Sequence, residues 1–198
     1  MSTDAFALLG LCRRAAMDAE EVRSAFQKVG AAQHPDHAEA SEKADRAAGF
    51  TSLNEAQAML SSPCRRLRHL LELLYPATAA ARTGAVMDDE MMYLFSLTGA
   101  AVQQAQSVLS RKQQAGSALA RAMLAAEEMQ AQEAIESALT RIESARDFLR
   151  AAMEGIDSTL ASCGDASVAL QSAAARAGFL EKWHQQLRNA FAGFFDAG

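Results

Sequence analysis

An apolar repeat in the second half of the chain limits its fold more than any other feature. Ile135, Leu139, Ile142, Leu149, Met153, Ile156 and Leu160 recur at steps of 3, 4 and 7 residues. Such steps keep one face of an α-helix apolar over many turns, whereas a half-buried strand needs steps of 2. A helix striped in this way buries its seam against other helices, so the spacing predicts a coiled-coil-like bundle. Composition agrees with the pattern. Alanine, the strongest helix former, supplies roughly a quarter of the 198 residues, while valine and isoleucine together number nine. An all-β protein and a parallel-sheet enzyme are excluded, and an all-α fold is expected.

Two further stripes flank the first. Met91, Phe95, Val102, Ala105 and Leu109 run up to a polar Arg111–Gln114 segment. Val168, Leu180, Trp183, Leu187, Phe191 and Phe194 follow Ser162-Cys163-Gly164-Asp165, where glycine stops one helix and aspartate can cap the next. Three stripes predict an antiparallel three-helix bundle. Residues 114–132 are alanine-rich and helical in tendency, with no signal of whether they continue the next helix.

Upstream, Pro76, Thr78, Thr83 and Gly84 interrupt helical periodicity between residues 75 and 89. Four short helical segments precede that break. Residues 4–10 make a turn or two. A helix starts at Asp18, with Glu21 placed to complete a capping box, and carries Val22, Ala25, Phe26 and Val29 on one face. It must stop before Pro35. A third runs over about 41–62, and a fourth follows Pro63 with Leu67, Leu70, Leu71 and Leu74. The expected division is 1–76 as one domain, 77–88 as linker and 89–198 as the bundle.

The formal net charge is −5, which argues against a general nucleic-acid binder. Cys12, Cys64 and Cys163 lack paired spacing, so neither a zinc ribbon nor a disulfide framework is expected, and a reducing compartment is the simplest reading. Residues 1–10 carry Asp4 and no basic leader, and no apolar run approaches a membrane span. A soluble, cytoplasmic protein with no membrane or nucleic-acid partner is expected. His37 beside Asp36 has no further ligand at metal spacing, and no phosphate loop or nucleophile–base pair is visible. No metal, cofactor or enzymatic activity is expected. Arg65, Arg66, Arg68 and His69 form the densest basic cluster, read as a solvated helix face.

His34-Pro35-Asp36 lies between two helical segments. Pro and Asp are ordinary turn formers, so the tripeptide alone is equally a plain interhelical turn. Its surroundings add to it. Asp4 to Leu11 opens with an acidic residue and an aromatic before Leu-Gly. Phe26, Lys28 and Val29 precede the tripeptide, and Asn54, Ala56, Leu60, Pro63, Arg66 and Leu70-Leu71 follow in order. These four blocks over about 70 residues resemble the J-domain family. The whole plan is similar to the HscB/Jac-type branch, which joins a J-domain to a three-helix bundle and serves iron–sulfur cluster assembly. Phe179-Leu180-Glu181-Lys182, Met91 and Met92 match that branch's bundle, and Phe95 takes the place of a Leu.

The resemblance implies a co-chaperone without bond chemistry of its own. His34, Pro35 and Asp36 would dock on a DnaK/HscA-type heat-shock chaperone and stimulate its ATPase, with Lys28 and Arg23 steering the second helix. Met91, Met92, Phe95 and Phe179 would hold a client protein, with an iron–sulfur scaffold as the first candidate. Five consecutive apolar residues at 91–95 cannot all face one helical side, which independently asks for a covering partner. Residues 1–76 hold nine basic against ten acidic side chains, so long-range attraction should be weak for a J-domain. A J-like interaction protein with weakened coupling is the alternative.

Overall fold

A computed structural model describes residues 3–33, 43–81 and 87–196, and every regular element among them is helical. Short polar side chains start most of the helices by taking up amides that the first turn leaves unpaired. Asp4 accepts from the N–H groups of Phe6 and Ala7 to open α1 (Ala5–Leu8). Gly10, at φ +65°, closes it in the left-handed region that suits glycine. Asp18 accepts from the Glu20 N–H at 3.3 Å at the head of α2 (Ala19–Gln33). Glu21, expected to complete that cap, pairs with Arg14 instead. Helices α3 (Lys43–Ser61) and α4 (Pro63–Leu74) meet at Ser62, whose hydroxyl accepts from the Arg65 N–H. Pro63 fills the first helical position, where its missing N–H is of no consequence. Tyr75 then leads into the short α5 (Pro76–Ala80).

The long helices follow. Asp88 caps α6 (Asp89–Gln114) by accepting from the Met91 N–H at 2.8 Å. Asp89 and Glu90 in its first turn and Arg111 and Lys112 in its last complement the helix dipole. The alanine-rich stretch whose continuity the sequence left open is broken. Gly116 and Ser117 interrupt it, Ser117 caps α7 (Ala118–Met123), and α8 (Ala125–Ala161) starts after Leu124. Between α8 and α9 (Ser167–Asp196), Cys163 takes φ 58°. A Cβ on Gly164 would lie 2.9 Å from Thr159 Cγ2 and 3.2 Å from its carbonyl oxygen, so only glycine fits that turn. Asp165 accepts from the Ser167 N–H, as its position suggests. Among the described residues no helix is long and apolar enough to cross a membrane, and no group of His, Cys, Asp and Glu could hold a metal ion.

The chain forms two compact units: Met1–Gly84 with Arg150–Ala175, and Ala85–Leu149 with Arg176–Gly198. The expected division put all of 89–198 in the bundle. Here 150–175 cluster with the N-terminal residues, because the turn joining α8 to α9 is hydrogen-bonded to them. Tyr75 Oη accepts from the Ala166 N–H at 3.1 Å, and Gln171 donates to the Ala81 carbonyl at 3.2 Å.

In the first unit, α2 packs on α3 with Phe26 and Phe50 meeting at 6.0 Å. Phe6, Val22, Leu53, Leu60, Leu67 and Leu70 are fully buried, each contributing roughly 1.5–3 kcal/mol. The basic cluster on α4 departs from expectation. Arg65 and Arg68 are exposed, but Arg66 and His69 are each only 2% exposed. Arg66 donates to the carbonyls of Ala15 and Leu60, and His69 Nε2 accepts from the Ala5 N–H at 3.0 Å. Charge alone assigned all four to solvent. The spacing 63-66-67-70 puts Arg66 on the leucine face.

In the second unit, the buried stripe of α6 is Met91, Leu94, Thr98, Ala101, Ala105 and Val108. Of the expected stripe, Met91 and Ala105 fall on this face, whereas Phe95, Val102 and Leu109 each lie one position off it, beside Leu94, Ala101 and Val108. In α8 the same unit buries Ala131, Ile135, Ala138, Ile142, Ala145 and Leu149, an alternation of 4 and 3 with alanine at every second place. Val168, expected in the last stripe, belongs to the first unit and is exposed. Asp88 and Glu90 bind Arg176, and Phe95 meets Trp183, so α6 and α9 run parallel here. Arg111 and Lys112 pair with Glu127 and Glu128 across the α6–α8 connection.

Candidate functional site

The expected docking tripeptide, His34, Pro35 and Asp36, lies outside the described residues. The helix leading to it does not. Arg23 and Lys28 are both exposed on α2. Arg23 is held by Glu20 one turn earlier, Nη1 to Oε2 at 2.7 Å. The acidic start of this helix therefore neutralises one of the two cations assigned to steering, leaving Lys28 as the exposed charge nearer its end.

The bundle residues separate by depth. Met92 is 57% and Phe95 60% exposed, whereas Met91 is 3% exposed and belongs to the core. Met91 therefore offers no free surface, because it falls on the 91-94-98 stripe that faces inward. Phe179 is half-buried. It stacks on Trp183 one turn later, with ring centroids 5.5 Å apart and planes at 25°. Trp183 in turn meets Phe95 of α6 at 6.1 Å. The two aromatics assigned to the client face thus lie against one buried indole, which the sequence read only as core. The signal was present: 179 and 183 stand four apart on α9, and Trp183 is the chain's one tryptophan.

Arg176 closes the α6 end of this face. Its guanidinium donates to Asp88 at 2.7 Å and to Glu90. The hydrogen bond from the Met91 N–H, helped by the Arg176 charge, lowers the Asp88 carboxyl pKa against the opposing effect of burial. Gly99, one turn beyond Phe95, has open space where a side chain would be. The result is an apolar strip of Met92, Phe95 and Phe179 with a fixed salt bridge at one end. An exposed apolar strip of this kind suits binding.

The comparisons with known proteins bear on both regions. No protein-family model matches the chain. The co-chaperone protein HscB homolog of Chromobacterium violaceum is 41% identical over 73 residues, 35% of this chain and 42% of that protein. The chaperone HscB from Vibrio cholerae shares the fold: TM-score 0.57 over 94% of this chain and 96% of that one, at 18% identity. The chain resembles the HscB-type J-domain co-chaperones. The sequence likeness spans less than half of the curated relative's length, and the likeness to the solved HscB is one of fold, covering nearly all of both chains. The all-helical fold expected from the stripes is the one observed among the described residues, and the HscB-like plan implied by the resemblance is matched at the level of fold.

Proposed function

We propose that this chain is a J-domain co-chaperone. Residues 1–76 dock on the nucleotide-binding domain of a DnaK/HscA-type heat-shock chaperone and stimulate its ATPase. The unit of residues 85–149 and 176–198, which carries Met92, Phe95 and Phe179, holds a client protein, an iron–sulfur cluster scaffold being the first candidate. The supporting observation is the 41% identity over 73 residues to an HscB-type co-chaperone, in a chain that places His34-Pro35-Asp36 directly after α2. The chain itself makes and breaks no bonds. Asp36 brings a carboxylate to a partner cation, Pro35 limits the loop's conformations, and His34 completes the docking surface. Lys28 and Arg23 favour approach to an acidic groove. Met92, Phe95 and Phe179 form the client strip.

The Arg23–Glu20 pair supports a second reading, a J-like interaction protein with weakened chaperone coupling and a different client. Steady-state ATP hydrolysis by a DnaK-type chaperone, with and without this protein, separates the two. A several-fold rise supports co-chaperone activity. Binding without any rise supports the second reading.

A further inference from the structure

One peptide group in the connector between α1 and α2 is gripped at both ends by charged side chains from distant parts of the sequence. The group joins Ala15 to Ala16. Its carbonyl oxygen accepts from Arg66 Nε of α4 at 3.0 Å, and its N–H donates to Asp157 Oδ2 of α8 at 2.8 Å. The other carboxylate oxygen of Asp157 accepts from the Ala15 N–H at 2.5 Å. A peptide carries a dipole of about 3.5 D with its negative end at oxygen. Guanidinium at the oxygen and carboxylate at the N–H both lower the energy of that one orientation, and charge-assisted bonds are roughly twice as strong as neutral ones. Ala15 itself is fully buried, and Ala16 and Asp157 are half-buried, which limits the access of water to these partners.

The grip continues into α2. Arg14, next to the clamped residue, pairs with Glu21 in the first turn of that helix. Arg13, one residue earlier, donates to Asp4 at 2.9 Å and ties the connector to the cap of α1. The connector that leads into α2 is therefore bound by a carboxylate that follows far along the chain, on α8. No sequence pattern signals this, because Asp157 binds backbone and leaves no complementary side chain to find.

We propose that Asp157 is a positioning residue: a latch that fixes the α1–α2 connector and, through it, the bearing of the helix used for chaperone docking. The second half of this statement rests on the co-chaperone reading; the first does not.

The test uses the full chain as Asp157→Ala and Asp157→Asn, with Ser158→Ala, an exposed neighbour on α8, as control. Amide hydrogen exchange is read residue by residue. Losing both charge-assisted bonds should speed exchange at Ala15 and Ala16 on the order of tenfold or more, while the core amides of α3 and α8 keep their protection. Asp157→Asn keeps one acceptor oxygen, tolerates any folding loss better, and should fall between. Unchanged protection at Ala15 and Ala16 in both variants overturns the latch. So does a uniform loss across the chain in Asp157→Asn, which would make the residue a general stabiliser. In the ATPase assay, Asp157→Ala should raise the half-saturating concentration of this protein about tenfold with the plateau unchanged, since the tripeptide is intact. If wild type gives no stimulation, the co-chaperone reading fails and the exchange result still decides the latch. A lowered plateau at unchanged half-saturation overturns the positioning role.

Discussion

His69 lies nearly flat against Phe6, with ring centroids 5.8 Å apart and planes at 11°, while its Nε2 accepts the Ala5 N–H. The acceptor role requires a neutral imidazole with its proton on Nδ1. Burial pushes the His69 pKa below its ordinary 6.5; the carboxylates of Asp4 and Glu72 oppose that shift, and Arg13 adds to it. The unfolded chain therefore binds a proton at His69 more readily than the folded one. Stability from this site is full above about pH 6.5 and declines as pH falls from there toward the lower folded value.

Urea unfolding at pH 7.5 and 5.5 reads this directly. The midpoint should be lower at pH 5.5, and His69→Gln, which titrates at neither pH, should flatten the difference. Asp4 adds a separate loss at more acid pH. Partial burial disfavours its charge, but the Arg13 hydrogen bond and the N–H groups of Ala7 and Phe6 outweigh that and hold its carboxyl pKa below 3.8. Its contribution is present above that value and disappears as pH falls through the folded pKa. Equal midpoints at pH 7.5 and 5.5 would remove His69 from the account.

The client strip makes a stability prediction that needs no client. Met91→Ala opens the bundle core and should cost about 2–5 kcal/mol, seen as a clear drop in melting temperature. Met92→Ala and Phe95→Ala should change it little, since most of each side chain is already in water. Client binding should be lost in the second pair. Trp183 emission should shift in Phe95→Ala, because that ring packs against the indole. Large melting losses for both Met92→Ala and Phe95→Ala would place them in the core and move the client site elsewhere.

Helices were legible because breaks are local chemistry, and Asp165, read as a cap, accepts two residues on from itself. The Glu21 half of the capping box at Asp18 and the Ser117 cap inside the alanine-rich stretch were not, since each depends on which of several local partners wins. Nor was the depth of single residues. The α6 stripe was right at Met91 and Ala105 but misplaced by one position at Phe95, Val102 and Leu109, because Thr98 and Ala101 bury little apolar area and look neutral, although small residues let helices approach. Arg66 and His69 look like surface residues, and only the carbonyls and amide brought to them by Ala15, Leu60 and Ala5 make their burial tolerable. The aromatic meeting of Phe95, Trp183 and Phe179 needed the parallel register of α6 and α9. That register is a property of the folded unit, beyond the reach of spacing along one helix.

The Arg23–Glu20 pair predicts an unusual gain. Glu20→Gln frees the Arg23 charge at an exposed position on α2. Exposed pairs of this kind are worth roughly 0.2–1 kcal/mol, so half-saturation for a DnaK-type chaperone should improve about twofold at low salt. The gain should vanish at high salt, where exposed charges are screened within about 3 Å at 1 M. Paired assays at low and high salt check it. An unchanged half-saturation at low salt would mean that Arg23 does not steer docking.

The central claim is that His34-Pro35-Asp36 couples this chain to the ATPase of a DnaK/HscA-type chaperone. Single-turnover hydrolysis of ATP preloaded on a DnaK-type chaperone, measured with wild type and with His34→Gln, tests it most directly. The account predicts several-fold faster hydrolysis with wild type, no acceleration with His34→Gln, and identical helix content for the two proteins. Equal acceleration by both, or none by wild type, would contradict it.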